Sequence, residues 1–172
     1  PRPEPLPSEW ESAVGLLATG LEAAADDTVD DEWRCRLATD PGLGVLRTLV
    51  EAVRAGAVVD LLRMGTRLIA LARGREALVE LLTAYWRRAS AQPLASDEAI
   101  AFAEYLLAQE LGIHGLDDLL RLEIAAARVL ADGQPVALSL DDDPSDTLEA
   151  LQHQRLPQPR ATLRPVLLEL TP

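Results

Sequence analysis

Two histidines, one cysteine and the run Asp141-Asp142-Asp143 are the side chains best equipped for chemistry, and their spacing limits what they can do. Nucleophilic catalysis by a Ser/His/Asp or Cys/His arrangement needs a base, which only His114 or His153 can supply. His114 sits between Gly112 and Gly115 in an expected turn, and His153 precedes a proline-rich break. Neither accompanies a nucleophile in a recognisable local pattern. The two histidines and Cys35 cannot furnish a typical zinc site, and no His-x-x-x-His pair occurs. The aspartate run could attract a hard cation, yet Pro144 follows it and the spacing of a calcium loop is missing, so a solvated turn is expected. Gly42 and Gly44 lack the following lysine of a phosphate-binding loop. No catalytic residue, metal ligand or cofactor site is therefore assigned, and the residues point to binding.

Glu123 is the exception to this bland picture. Its helical neighbours three and four residues away are Leu119, Leu120, Ala126 and Ala127. A carboxylate on an apolar stripe is costly to bury unless it is paired or hydrogen-bonded. It could be a general acid or base with a raised pKa. With no second catalytic group beside it, the expected role is a structural buried acid, accepting bonds from an arginine or from backbone N–H groups. A second feature lies near the C-terminus. Thr162 to Leu170 reads as a strand, and Pro165 within it lacks an N–H and belongs at an edge or bulge. An edge strand is a template for an extended peptide, with Leu163, Val166, Leu168 and Leu170 as candidate peptide-binding residues. The alternative is that this segment only completes the domain.

These residues must be positioned by helices. Of 172 residues, 48% are apolar but only 3% aromatic, so a core of Leu, Ala and Val is expected, which favours packed helices over a β-sandwich. Proline-spaced residues 1–7 suggest an extended arm, followed by a helix over 8–25 bearing Leu16, Leu17 and Leu21. Thr28 opens a short segment with Trp33 and Leu37, closed by an Asp40-Pro41-Gly42 turn. Leu46, Val50, Val53, Ala57, Leu61, Met64, Leu68 and Leu71 then mark one helical face, in a single bent helix or two with a break near Gly56, and Gly74 stops the run. The next helix turns Leu78, Leu81, Leu82 and Tyr85 inward and ends at Gln92-Pro93. Ser96 caps another, with Ala99, Phe102 and Leu106 inward, and a further helix spans about 116–131. Val136, Leu138 and Leu140 alternate as in a strand, and Ser145 to His153 reads as a short helix. The expected fold is mainly α: an N-terminal helical bundle over 1–132, then a small C-terminal α+β region over 133–172 carrying a short β-sheet.

Charge bears on partners. Acids number 28 against 16 basic residues, giving a formal charge of −12, and every basic residue is arginine. The missing lysines fit the codon bias of a GC-rich, bacterial genome. Such acidity disfavours nucleic acid or an anionic membrane as partner. Arg73, Arg75, Arg87 and Arg88 cluster in sequence and are expected to solvate the surface. The lone Cys35 forms no internal disulfide, which suits a reducing cytoplasm. No apolar run approaches the ~20 residues that a membrane-spanning helix needs. The chain opens on Pro1, not Met, which implies a trimmed start and leaves a removed signal peptide open.

The stretch from Leu46 to Val129 resembles the partner subunits of multinuclear non-heme iron oxidases that modify ribosomally made peptides, as in methanobactin, bufferin and 3-thiaglutamate pathways. Leu49 to Leu62 resembles their arginine-bearing helix, with Arg54 at the arginine, and Ala77 to Pro93 the helix that follows. Phe102-Ala103-Glu104-Tyr105-Leu106 is similar to their aromatic-rich helix. Leu116 to Ala125 looks like the Leu-Ala-x-Leu-Glu-x-Ala element, with Glu123 within it. His114 and Gly115 stand where that family has a proline and tyrosine. The resemblance implies a noncatalytic subunit in a heterodimer with an iron oxidase. Such a subunit captures the leader of a precursor peptide and presents its core, while the metal chemistry belongs to the other subunit. The alternative is a stand-alone helical ligand-binding or regulatory protein.

Overall fold

The computed structural model describes residues 39–159 and 161–172, so the helix expected over 8–25 and the segment from Thr28 through Leu37 lie outside the described residues. The described chain is mainly helical with a small two-stranded sheet near its C-terminus. In order it forms α1 (Pro41–Leu61), α2 (Arg63–Arg73), α3 (Arg75–Trp86), α4 (Ala95–Leu107), α5 (Leu116–Asp132), β1 (Val136–Leu140), α6 (Ser145–Gln152) and β2 (Val166–Leu170). It divides into two compact units. The described part of one is 39–55 with Thr83–Ala91, and the other is Gly56–Leu82 with Gln92–Pro172. Both strands share the second unit with α2, α4 and α5.

In the first unit, Asp40-Pro41-Gly42 starts α1. The Asp40 carboxylate accepts the Gly42 N–H at 2.7 Å, as an N-cap does, and Pro41 takes the first helical position, where its missing N–H is harmless. The apolar face assigned to this helix is rotated from its expected place. Val53 is 72% exposed and Leu46 is also exposed, whereas Leu43 and Arg54 are buried. Periodicity locates a stripe but does not say which flank of it meets a neighbour.

The second unit is built on α5, which packs against α2, α4 and β1 and also touches β2. Leu116, Leu119 and Leu120 of α5 are fully buried with Phe102 and Leu106 of α4, Leu68 and Ile69 of α2, Leu140 of β1 and Leu151 of α6. Asp117 and Asp118 in the first turn of α5 suit the positive end of its dipole, and Gly133, at φ 64°, ends it with an N–H to the Val129 carbonyl. Strands β1 and β2 are antiparallel, in register from Val136↔Leu170 to Leu140↔Val166.

Several boundaries differ from expectation for local reasons. The helix interruption falls at Leu62 (φ −103°, ψ 49°), not near Gly56, which lies inside α1. Leu62 is 1% exposed, so a buried leucine marks the corner where a glycine was expected. Helix α3 stops at Trp86, before the expected Gln92-Pro93. Ser96 lies within the first turn of α4, whose N-cap is Leu94. Strand β2 begins after Pro165, so Pro165 and Leu163 precede the ladder instead of belonging to it.

Two glycines separate packing from propensity. A Cβ at Gly65 would meet Leu120 Cδ2 at 2.7 Å and Glu123 Oε2 at 3.1 Å, while one at Gly56 would meet nothing within 4 Å. Both lie inside helices, where alanine is favoured over glycine by about 1 kcal/mol. Gly56→Ala is expected to raise the thermal unfolding midpoint. Gly65→Ala is expected to lower it, because overpacking costs about 1–3 kcal/mol and outweighs the helical gain.

Candidate functional site

Helix α2 starts at a leucine N-cap with no side-chain oxygen, so its first N–H groups need an acceptor from elsewhere. Glu123, on α5, supplies it: Oε1 accepts the Met64 N–H at 2.7 Å and Oε2 accepts the Gly65 N–H at 3.0 Å. Each carboxylate oxygen thus takes one helix-end donor, and the short Gly65 lets α5 approach closely enough. Burial pushes the Glu123 carboxyl above the ordinary carboxylate range, partly opposed by the two backbone hydrogen bonds, which favour the charged form. Among the described residues, no cluster of three or more His, Cys, Asp or Glu side chains could hold a metal ion.

The same device recurs at two positions that sequence reasoning did not single out as tethers. Asp118, also on α5, accepts the Asp141 N–H at 3.0 Å and the Asp142 N–H at 3.1 Å, and so holds the turn that leaves β1. Glu98 of α4 is 2% exposed and accepts the Gln92 N–H at 2.9 Å. Both belong to first-turn acid pairs, which read equally well as solvated dipole partners. Only the apolar positions around them carried a signal, and it was weak.

The aspartate run is a pinned turn. Asp142 Oδ1 accepts N–H groups from Asp143 and from Arg164, each at 2.9 Å, and Asp143 Oδ1 accepts the Ser145 N–H at 2.9 Å. Asp141 pairs with Arg121 at 3.0 Å. These acids, with His114, Gly115, Pro144, Thr147 and Leu163, line a cavity of 160 Å³. A second cavity, of 310 Å³, is lined by Ala72, Arg73, Gly112, Ile113, His114, Leu156, Pro157 and Pro159. His114 is half-buried between glycines of positive φ and lines both, whereas His153 is an exposed residue at the end of α6.

The residues named for peptide binding are only partly brought together. Val166, Leu168 and Leu170 share one half-buried face of β2, with Leu167 77% exposed on the other. Leu163 lies apart, in the segment before the strand, and lines the aspartate-lined cavity. The sheet has two strands, so the second edge of β2 has no strand partner among the described residues.

In the first unit, Arg54 is buried with its guanidinium 5.8 Å from the Tyr85 ring centre and 5.5 Å from that of Trp86. Its Nη2 donates to the Ala89 carbonyl at 3.2 Å. This is a cation–π anchor between α1 and the end of α3, and its partners lie too far along the chain for helical spacing to reveal them. The chain matches no family profile, no curated protein and no solved structure.

Glu123→Gln keeps one acceptor and is expected to cost about 1 kcal/mol, whereas Glu123→Leu strands two N–H groups and costs about 2–3 kcal/mol, read from urea unfolding. The sign with pH follows from the raised pKa. Protonation stabilises the fold fully below the ordinary value of 4.5, and that contribution is lost as the pH rises through the folded value. The stability of the parent relative to Glu123→Gln should therefore fall between acid and neutral pH. A difference that grows toward neutrality would contradict the burial-dominated shift.

Proposed function

We propose that this protein is a noncatalytic partner subunit that binds a ribosomal precursor peptide and presents it to an iron-dependent oxidative modifying enzyme. The observation that carries the reading is the open edge of β2. Its outward N–H and C=O groups offer a ladder to an extended leader, and Leu167 on one face with Val166, Leu168 and Leu170 on the other supplies apolar neighbours. The fixed turn before the strand, with the Arg164 N–H on Asp142, presents that edge at low ordering cost. A formal charge of −12 suits a basic leader or a basic patch on the enzyme. No helix of the described chain is long and apolar enough to cross a membrane.

Catalysis is assigned to the partner because Glu123, whose carboxyl burial pushes upward, already holds a helix end with both oxygens. A stand-alone ligand-binding protein would call for an enclosed apolar cavity, whereas the two cavities described above are partly lined by charged side chains.

Co-expression with an iron oxidase and precursor peptide encoded beside it is expected to yield a complex of all three, with no peptide modification by the isolated chain. Turnover by this chain alone would refute the adaptor role. Leu167→Lys places on the edge a residue that natural edge strands use against pairing. It is expected to weaken peptide binding about 5-fold, a loss of ~1 kcal/mol of cross-strand contact, at an unchanged melting midpoint.

A further inference from the structure

We propose that the 310 Å³ groove beside His114 binds the carboxylate end of a peptide whose last residue is aliphatic. The walls are apolar, from Ile113, Leu156, Pro157 and Pro159, and the cationic or polar groups are Arg73 at the end of α2 and His114 in the turn before α5. A proline has no N–H, so this wall offers little that competes with the two side chains for an anion.

Arg73 is set apart by its place on the groove wall, not by its lack of an ion pair, which Arg63, Arg67 and Arg75 share among the described residues. Elsewhere in the same unit Arg121 pairs with Asp118 and Asp141, and Arg128 pairs with Glu104. Arg73 forms no ion pair among the described residues, in a chain with 28 acids against 16 arginines. Its Nη2 donates to the Leu111 carbonyl, which holds the guanidinium against the turn. The remaining N–H groups of its planar fork are suited to a carboxylate, which accepts two parallel bonds. The aspartates across His114 do not fill this role, since their oxygens already accept backbone N–H groups or pair with Arg121. On so acidic a surface, a cation without an acidic partner beside apolar walls is where an anion of mixed character is retained.

The openness of the groove selects a chain end over a free small acid. Leu156 is 51% exposed and Arg73 is exposed as well, so a detached ligand would keep much of its surface in water, whereas small-molecule sites bury about 70–90% of their ligand. A peptide end can lay its last side chain on Ile113 and Leu156, set its carboxylate on Arg73, and continue outward. The site uses α2 and two loops, not β2, and stands independently of the strand-edge reading.

The test is titration of the full, isotopically labelled chain, followed by amide resonances, with three probes: acetyl-Ala-Leu as the free acid, the same dipeptide as its C-terminal amide, and octanoate. The free acid is expected to shift Arg73, Gly112 to His114 and Leu156 saturably, with the amide at least about 10-fold weaker. Arg73→Gln and Leu156→Asp, both at exposed positions, should each weaken the acid about 10-fold at unchanged melting midpoints, and Arg73→Lys should lose less than Arg73→Gln. Equal binding of acid and amide, or shifts that survive both variants, would overturn the proposal. So would octanoate binding as tightly as the dipeptide acid, which would assign the groove to free aliphatic acids, or no saturable binding of any probe.

Discussion

The second unit depends on carboxylates that accept backbone N–H groups from distant parts of the chain. Glu123 reaches 58 and 59 residues back to the start of α2, and Asp118 reaches 23 and 24 residues forward to the turn after β1. Both project from α5, which therefore fixes a helix on one side and the sheet on the other. Burying a carboxylate is unfavourable, and it is tolerated here because each oxygen meets a donor that would otherwise lack a partner. With few aromatics to fill space, the apolar core of leucines alone would specify the packing loosely. Directional bonds at helix ends and turns add the register that leucine packing lacks.

The same constraint explains the positions of the glycines that matter. Gly65 admits the Glu123 carboxylate and the Leu120 side chain where a Cβ would collide with both. Gly115 does the equivalent at the other end of α5, since a Cβ there would sit 2.7 Å from Thr147 Oγ1 on α6. Its φ of 77° also places it in the left-handed region that glycine tolerates best. Both positions are close approaches forced by the helix that carries the acids.

Much of this was legible in the sequence, and the rest was hidden for identifiable reasons. Helical class, the small C-terminal sheet, β1, α6 and the inward residues Ala99, Phe102 and Leu106 follow from local periodicity, which the structure obeys. Glu123 stood out because a charge on an apolar stripe is a contradiction that must be resolved locally. Asp118 and Glu98 did not, because an acid in a first helical turn has a sufficient explanation in the dipole. The corner at Leu62 was invisible, since no glycine or proline marks it; its cause is an acceptor on another helix. Val53 and Arg54 illustrate the limit most sharply. A stripe of apolar residues was legible on α1, but the exposed valine and the buried arginine are set by Tyr85 and Trp86, about thirty residues away.

Internal satisfaction of polar groups narrows where binding can occur. In the second unit the acids that a reader would first suspect of chemistry are held by backbone donors, and two of the arginines are held by acids. The open edge of β2 and the fork of Arg73 are two polar features that face outward with acceptors or donors to offer. Both are anchored by the tether system: the Asp118 and Asp142 contacts fix the loops that leave β1 and enter β2 at one end of the sheet, and Glu123 fixes the start of the helix that ends at Arg73. Rigid presentation lowers the ordering cost of association, so the buried acids serve recognition without touching a ligand. A fold that engages its carboxylates in holding loops and helix ends is poorly placed to use them as acids or bases, and well placed to hold a surface still for another molecule.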